Sequence, residues 1–400
     1  MRMRGIEWRF MAAVVLVLAG TLRAEDVKPQ PPPATEDKPA VAAAKIEFLD
    51  GDAGKAAIVD DQSEPYFSRL QTLEMSVKTS AKITGATLDE QRAETRKRYQ
   101  AEVKPFTDAE KKNLTAIIEA LQPVLAKDYP LYARTPWSFI KLGAKVEGGL
   151  PHTRGTHIVL PAPLLESMPV VKADDPKEKQ ARALLPLYML LLHEQTHVIQ
   201  RAHPDLFVKL FKEVWGFEHT KQIEPGPWLT ARSLANPDGV DVGWVMPLKD
   251  GDKTSYIWPL VILGRLGDDV QMPDDFAEVC IELEKKDDGF AVQLPKPAPE
   301  ADPKPEKPAD PNEKPAAKED KKDDKAGMPV IEQLSKTSEY LKKFPVRQEL
   351  FHPNEISAVM FSRVVFFDSF LPKDRISPEQ SEKFDKNFGT FRTWAKDAFK

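Results

Sequence analysis

Residues 193–197 read His-Glu-Gln-Thr-His, inside the apolar run from Leu190 to Ile199. On an α-helix, positions four apart lie about 40° apart around the axis and one turn along it. His193 and His197 can therefore aim two imidazoles at one point, as two ligands of a tetrahedral zinc ion would. Glu194 projects about 100° further round, where it can reach a water on that metal without ligating the metal itself. Zinc lowers the pKa of such a water towards about 7, and the carboxylate can then take its proton. The competing account is a buried helix that happens to carry two hydrogen-bonded histidines. A core enclosing His, Glu and His must satisfy all three groups, and one shared Zn2+ does so.

A third ligand has two candidates. His203 stands six residues beyond His197. A helix running on through Gln200 to Ala202 would carry it about 9 Å further along the axis and onto another face. Pro204 also pushes His203 towards an extended shape, as at a simple helix end. The other candidate is Glu355, in FHPNEISAVMFSRVVFF. This is an apolar helix with Pro353 near its first turn, and a lone carboxylate at its start needs a partner.

With these motifs the chain resembles the zincin metalloproteases over roughly residues 137–220, plus the helix of Glu355. The resemblance implies an α+β, zincin-like fold: a small mixed sheet and the active-site helix, with mainly helical N- and C-terminal parts. In that family an edge strand ahead of HExxH pairs with extended substrate backbone, and GTHIVLPAPLL (residues 155–165) stands where that strand is expected. Metzincins read HExxHxxGxxH, which would make His203 the third ligand. Gln200 replaces the glycine that allows the helix to turn there, and a positive φ is awkward for glutamine. Gluzincins take a glutamate from a later helix, often within Asn-Glu, and Asn354-Glu355 supplies it. Glu355 is thus the expected third ligand, with His203 the alternative. A thermolysin-like pattern would place an aspartate four residues later, where Val359 stands, so a close thermolysin relative is not expected. No GxMEN-type sequence is present to suggest an exopeptidase.

The implied activity is zinc-dependent hydrolysis of peptide or protein substrates, as an endopeptidase, with Glu194 as general base. The developing oxyanion also needs a donor; Tyr256, His219 and His352 qualify by residue type and by their place after the motif. A different class, a non-catalytic exported binding or envelope-associated protein on the same scaffold, is separated from this one by Glu194 together with an open fourth metal position.

The rest of the chain must position these groups. MRMRGIEWRF, the apolar MAAVVLVLAGTL and RAED follow the order of a secretory signal peptide cut after Ala24. The apolar stretch is short of the roughly 20 residues of a transmembrane span, so export to the periplasm, envelope or exterior without stable membrane insertion is expected. Residues 25–45 form a Pro/Ala-rich tether, and 295–329 a Pro/Lys/Asp/Glu-rich insertion without Leu or an aromatic residue in its low-complexity part, expected to be disordered. Residues 46–294 and 330–400 are then two parts of one catalytic domain. Cys280 is the only cysteine, so neither an internal disulfide nor a thiolate cage can form. A net charge of −5 gives no electrostatic case for a nucleic-acid or anionic-membrane partner.

Between the tethers, FSRLQTLEMSVKT and LDEQRAETRKRYQAEV read as amphipathic helices, and Thr107 to Glu110 as a capping box. WSFIKLGAKV and GTHIVLPAPLL read as strands about a Gly148-Gly149 turn. A long helix over 178–202 should kink or begin at Pro186. Two hairpins follow, turning at KDGDKT and KKDDG. The final helix, opened by Ser377-Pro378-Glu379, places Phe384, Phe388, Phe391 and Trp394 on one core-facing stripe.

Overall fold

The computed structural model describes residues 44–62, 64–168, 177–295, 327–371 and 376–400. The expected leader, nearly all of the first tether and most of the insertion lie outside the described residues.

The first sheet contains β1 (Ile46–Leu49), β2 (Val103–Lys104), β3 (Trp137–Leu142), β4 (His152–Arg154) and β5 (His157–Pro161). Its order is β1-β3-β5-β4, with β2 beside β3. The three strands β1, β3 and β5 are parallel, whereas β4 runs antiparallel to β5. All six residues of β3 are buried, as expected for a parallel strand covered on both faces. Its one charge, Lys141, is neutralised by Glu110 at 2.8 Å.

The edge differs from the sequence expectation. GTHIVLPAPLL does not run as one edge strand: β5 ends at Pro161 and a short helix, Ala162–Glu166, follows. Pro163 lacks an N–H and suits a first helical turn, not a sheet ladder. Outside β5 lies β4, and three residues are too few to show a period of two. The edge is therefore His152–Arg154.

The second sheet contains β6 (Glu218–His219), β7 (Ile223–Glu224), β8 (Trp244–Asp250), β9 (Lys253–Leu263), β10 (Phe276–Lys286), β11 (Gly289–Val292) and β12 (Ile331–Gln333). Hairpins β8–β9 and β10–β11 turn where the KDGDKT and KKDDG segments lie. Beyond the insertion, β12 pairs with β10 from before it.

The helices that matter for the site are α1 (Leu88–Glu102), α2 (Asp108–Asp128), α3 (Lys177–Ala202), α4 (Pro353–Ser369) and α5 (Pro378–Ala398). Capping boxes at Thr87, Thr107 and Ser377 start α1, α2 and α5. FSRLQTLEMSVKT is not one helix. It divides into a 3-10 turn, Phe67–Arg69, and a helix, Thr72–Lys78; Leu70 between them is extended, and its carbonyl accepts from the Arg92 guanidinium. Pro186 lies inside α3 and does not begin it. Leu191, Leu192, Val198 and Ile199 of α3 share one core with Ile356, Val359, Met360 and Phe361 of α4 and with Phe388 and Phe391 of α5. Each such side chain contributes about 1.5–3 kcal/mol by burial, so α3 and α4 are held together by packing. Among the described residues no helix is long and apolar enough to cross a membrane.

Candidate metal centre

Within the HEQTH turn, the two middle residues fix the helix. The Thr196 hydroxyl donates to the Leu192 carbonyl at 2.7 Å and accepts from Tyr132 at 2.8 Å. The Gln195 amide donates to the Pro136 carbonyl at 3.1 Å, just ahead of β3. With these anchors on the far side, His193 and His197 face α4. Their Nε2 atoms lie 3.0 Å apart, and each is 3.3 Å from Oε2 of Glu355. For metal–donor distances of about 2.0–2.1 Å, the edge of a tetrahedron is about 3.3 Å. The three donors therefore fit one face of a tetrahedron around a small divalent ion. Among the described residues this is the group of donors close enough together to hold one.

Local sequence explains Glu355. Pro353 opens α4 and Glu355 lies in its first turn, where the positive end of the helix dipole favours a carboxylate. His352 caps the same helix: its Nδ1 accepts the Asn354 N–H at 3.1 Å, and Nε2 donates to the Asp241 carbonyl at 2.6 Å. Glu194 lies on the adjoining face of α3. Its Oε2 accepts the Thr153 hydroxyl of β4 at 2.8 Å, which leaves Oε1 for a proton.

The centre gathers carboxylates and imidazoles in largely buried surroundings. Burial lowers the affinity of His193 for a proton, but the carboxylates of Glu349, Glu355 and Glu194 outweigh it and push the imidazole up to about 10. Burial works against Glu355 as well, yet His197 and His193 hold its carboxyl well below the usual range. Burial raises Glu194, only partly opposed by the two histidines. Both Nε2 atoms face one gap, which has room for a single proton between them. A divalent cation would satisfy all three groups together.

Residues 234–243 cross over this centre. The Asn236 amide donates to Oε1 of Glu355, and the Asp238 carboxylate accepts the Thr153 N–H at 2.5 Å. Arg201 of α3 donates to the Pro237 carbonyl at 2.6 Å. The exposure left is 3% for Glu194, 0% for His197 and 3% for Glu355, against 13% for the His193 side chain.

The structure brings together His193, Glu194, His197 and Glu355. It does not bring His203 to them. The helix runs on to Ala202, and His203 is exposed ahead of the next helix, its N–H on the Ile199 carbonyl at 2.8 Å. Both nitrogens of His352 are used in holding α4, so it has no donor to offer an oxyanion. His219 is tied to Asp241 of this strap at 2.7 Å and packs on Trp244. Tyr256 is on the second sheet against Phe290 and Lys285, among neighbours that include none of the centre's residues. Four participants were not singled out from sequence: Thr153, Asn236, Asp238 and Glu349, whose Oε2 is 3.7 Å from Nδ1 of His193. A fifth, Gln200, was read only as a missing glycine.

No family model, no curated protein and no solved structure matches this chain.

Proposed function

We propose that this chain is an exported, zinc-dependent metallopeptidase of zincin-like architecture, with His193, His197 and Glu355 as the metal ligands. The observation that carries this reading is the convergence of the HEQTH helix and Glu355 on one ion-sized gap, with a separate buried carboxylate, Glu194, beside it. Two imidazoles and one carboxylate are a donor set typical of catalytic zinc. Bound there, zinc would supply Lewis acidity to a peptide carbonyl and to water. Glu194, with Oε2 held by Thr153, would take the water proton at Oε1 and return it to the departing amine. Buried surroundings strengthen the interaction of these charges with a reacting group. The β4 edge beside Glu194 is the place for an extended peptide to add as a strand, once Asp238 releases the Thr153 N–H.

The burial of the centre favours a second reading, a non-catalytic exported binding or envelope protein that keeps the metal as a structural element. One experiment separates them: metal content of the purified full chain, measured beside hydrolysis of a quenched peptide library by the parent and by Glu194→Gln. Zinc at one equivalent with Glu194-dependent cleavage supports the peptidase; zinc without cleavage in either protein supports the structural site. A protein that takes up no divalent metal removes both.

A further inference from the structure

Gln200 is buried, three residues beyond His197, and its side-chain amide is fully engaged. Nε2 lies 2.9 Å from the Asn354 carbonyl oxygen and 2.9 Å from the Ser357 hydroxyl. Oε1 lies 2.8 Å from Nδ1 of His197. The Ser357 hydroxyl is itself 2.9 Å from the Asn354 carbonyl and donates to it, so its oxygen is left as an acceptor. A carbonyl oxygen accepts only. The amide nitrogen of Gln200 must therefore face Asn354, and the amide oxygen must face His197. An oxygen there requires Nδ1 of His197 to carry the proton, and in the neutral ring the lone pair is then on Nε2. That is the atom facing His193 and Glu355.

We propose that Gln200 is a positioning residue of this metal centre, selecting the metal-binding tautomer of His197 from the backbone that presents Glu355. The amide joins two ligands otherwise distant in sequence: the Asn354 carbonyl belongs to the peptide unit directly ahead of Glu355. Displacement of α4 along α3 would break the Asn354 contact and free the amide to turn, so His197 would lose its acceptor as Glu355 moved away. Carboxylates are common partners for metal-binding histidines. A neutral amide orients the ring here without adding another carboxylate beside Glu194 and Glu355. It also accounts for glutamine at a position where a helix turn would need glycine. The helix continues, and the side chain is used.

This inference rests on the metal reading of the centre, and its test separates the two. In the full-length protein, Zn2+ affinity is measured by competition with a chromophoric chelator for the parent, Gln200→Leu, Gln200→Glu and Ser357→Ala. The leucine variant is expected to bind zinc 10–100-fold more weakly, the usual cost of removing such a partner, with unchanged circular dichroism. The glutamate variant keeps an acceptor for Nδ1–H and should recover most of the affinity while melting at lower temperature. Ser357→Ala leaves the Asn354 carbonyl in place and should bind within a few-fold of the parent. Long-range 15N–1H correlation of the histidine rings in the metal-free parent should show the proton of His197 on Nδ1, a result that does not depend on zinc binding. Equal affinity in the leucine variant and the parent, equal loss in the leucine and glutamate variants, or a proton on Nε2 with Nδ1 bare would overturn the proposal. A parent that binds no zinc would instead remove the metal reading, leaving the tautomer to be decided by the spectrum alone.

Discussion

Thr153 donates its hydroxyl to Oε2 of Glu194 at 2.8 Å, so the edge strand of the first sheet and the HEQTH helix meet at the carboxylate assigned as the base. A hydrogen bond to a charged group contributes about 1.5–3 kcal/mol, and here it also fixes which oxygen is free. Thr153→Val keeps the shape and removes the donor. Under the peptidase reading, turnover should fall about 10-fold or more while zinc content stays at the parent value. Turnover equal to the parent's would show that Glu194 needs no such restraint.

Glu194→Gln tests the base directly. The amide cannot take a proton from water, while the ligands are untouched, so zinc should stay bound as hydrolysis drops by roughly 10²–10⁴-fold. Unchanged turnover in the zinc-loaded variant would remove Glu194 from the mechanism. Loss of zinc would make it a ligand.

The third ligand is tested by a pair of substitutions. Glu355→Ala removes a donor 3.3 Å from both imidazoles, and zinc should be lost on dialysis against a weak chelator. His203 is exposed beyond the end of the helix, so His203→Ala should retain the metal in full. The reverse pattern would transfer the role to His203. Loss in both with a collapsed circular dichroism spectrum would report unfolding, to be resolved with the milder Glu355→Gln.

What the sequence makes legible is what one helix can carry. The spacing of His193, Glu194 and His197 fixes their relative directions whatever the tertiary structure, and Pro353 with Asn354-Glu355 marks a carboxylate in a helix's first turn. Thr153, Asn236 and Asp238 act across β4, the strap and α4, through contacts that no local period records. Asn236 and Asp238, within TARSLANPDGVDVG, look like part of any polar loop. Gln200 shows why a departure from a pattern needs its own account: the residue that rules out a sharp turn also holds His197. The signal for His352 is in the sequence, since a residue directly ahead of a helix-opening proline is a cap position, a role that competes with the oxyanion donor expected of it. The edge strand was misplaced because His152–Arg154 is too short to show alternation, while the longer apolar run beside it is the inner neighbour.

A buried carboxyl outside the donor set gives the pH dependence. Glu74 accepts the N–H groups of Ala235 at 2.5 Å and Gln71 at 3.2 Å, and burial, only partly opposed by Lys78, raises it from 4.5 to about 7. A carboxyl whose folded pKa is raised binds its proton more tightly in the folded state, so its contribution is complete below about pH 4.5 and is lost as pH rises through about 7. The loss amounts to at most about 3 kcal/mol. Glu74→Gln cannot titrate, so its stability relative to the parent should improve between pH 5 and pH 8 in urea unfolding. A constant difference across that range would show that Glu74 is ionised throughout.

The strap packs on the centre through Asn236 and Asp238. Glu64 holds it from outside, accepting the Val240 N–H at 3.0 Å and pairing with Arg201, which in turn donates to the Pro237 carbonyl. Arg69 donates to the Val240 carbonyl from the same side. None of these contacts involves a metal ligand, so the strap can be loosened without changing the donor set. Local opening has its own free energy, below that of global unfolding, and removing hydrogen bonds to a charged group worth about 1.5–3 kcal/mol shifts that equilibrium roughly 10–100-fold. Glu64→Ala should therefore release zinc to excess chelator at least tenfold faster than the parent, with equilibrium affinity falling in step with the release rate or less. If the protein cleaves peptides, the same change should raise kcat/KM for long substrates more than for dipeptide amides, because a long chain needs the β4 edge that Asp238 occupies. Release at the parent rate would mean that zinc leaves by a path the strap does not cover. A lower kcat/KM for long substrates would make the strap part of the substrate site itself, with Asn236 and Asp238 as contacts in place of a gate.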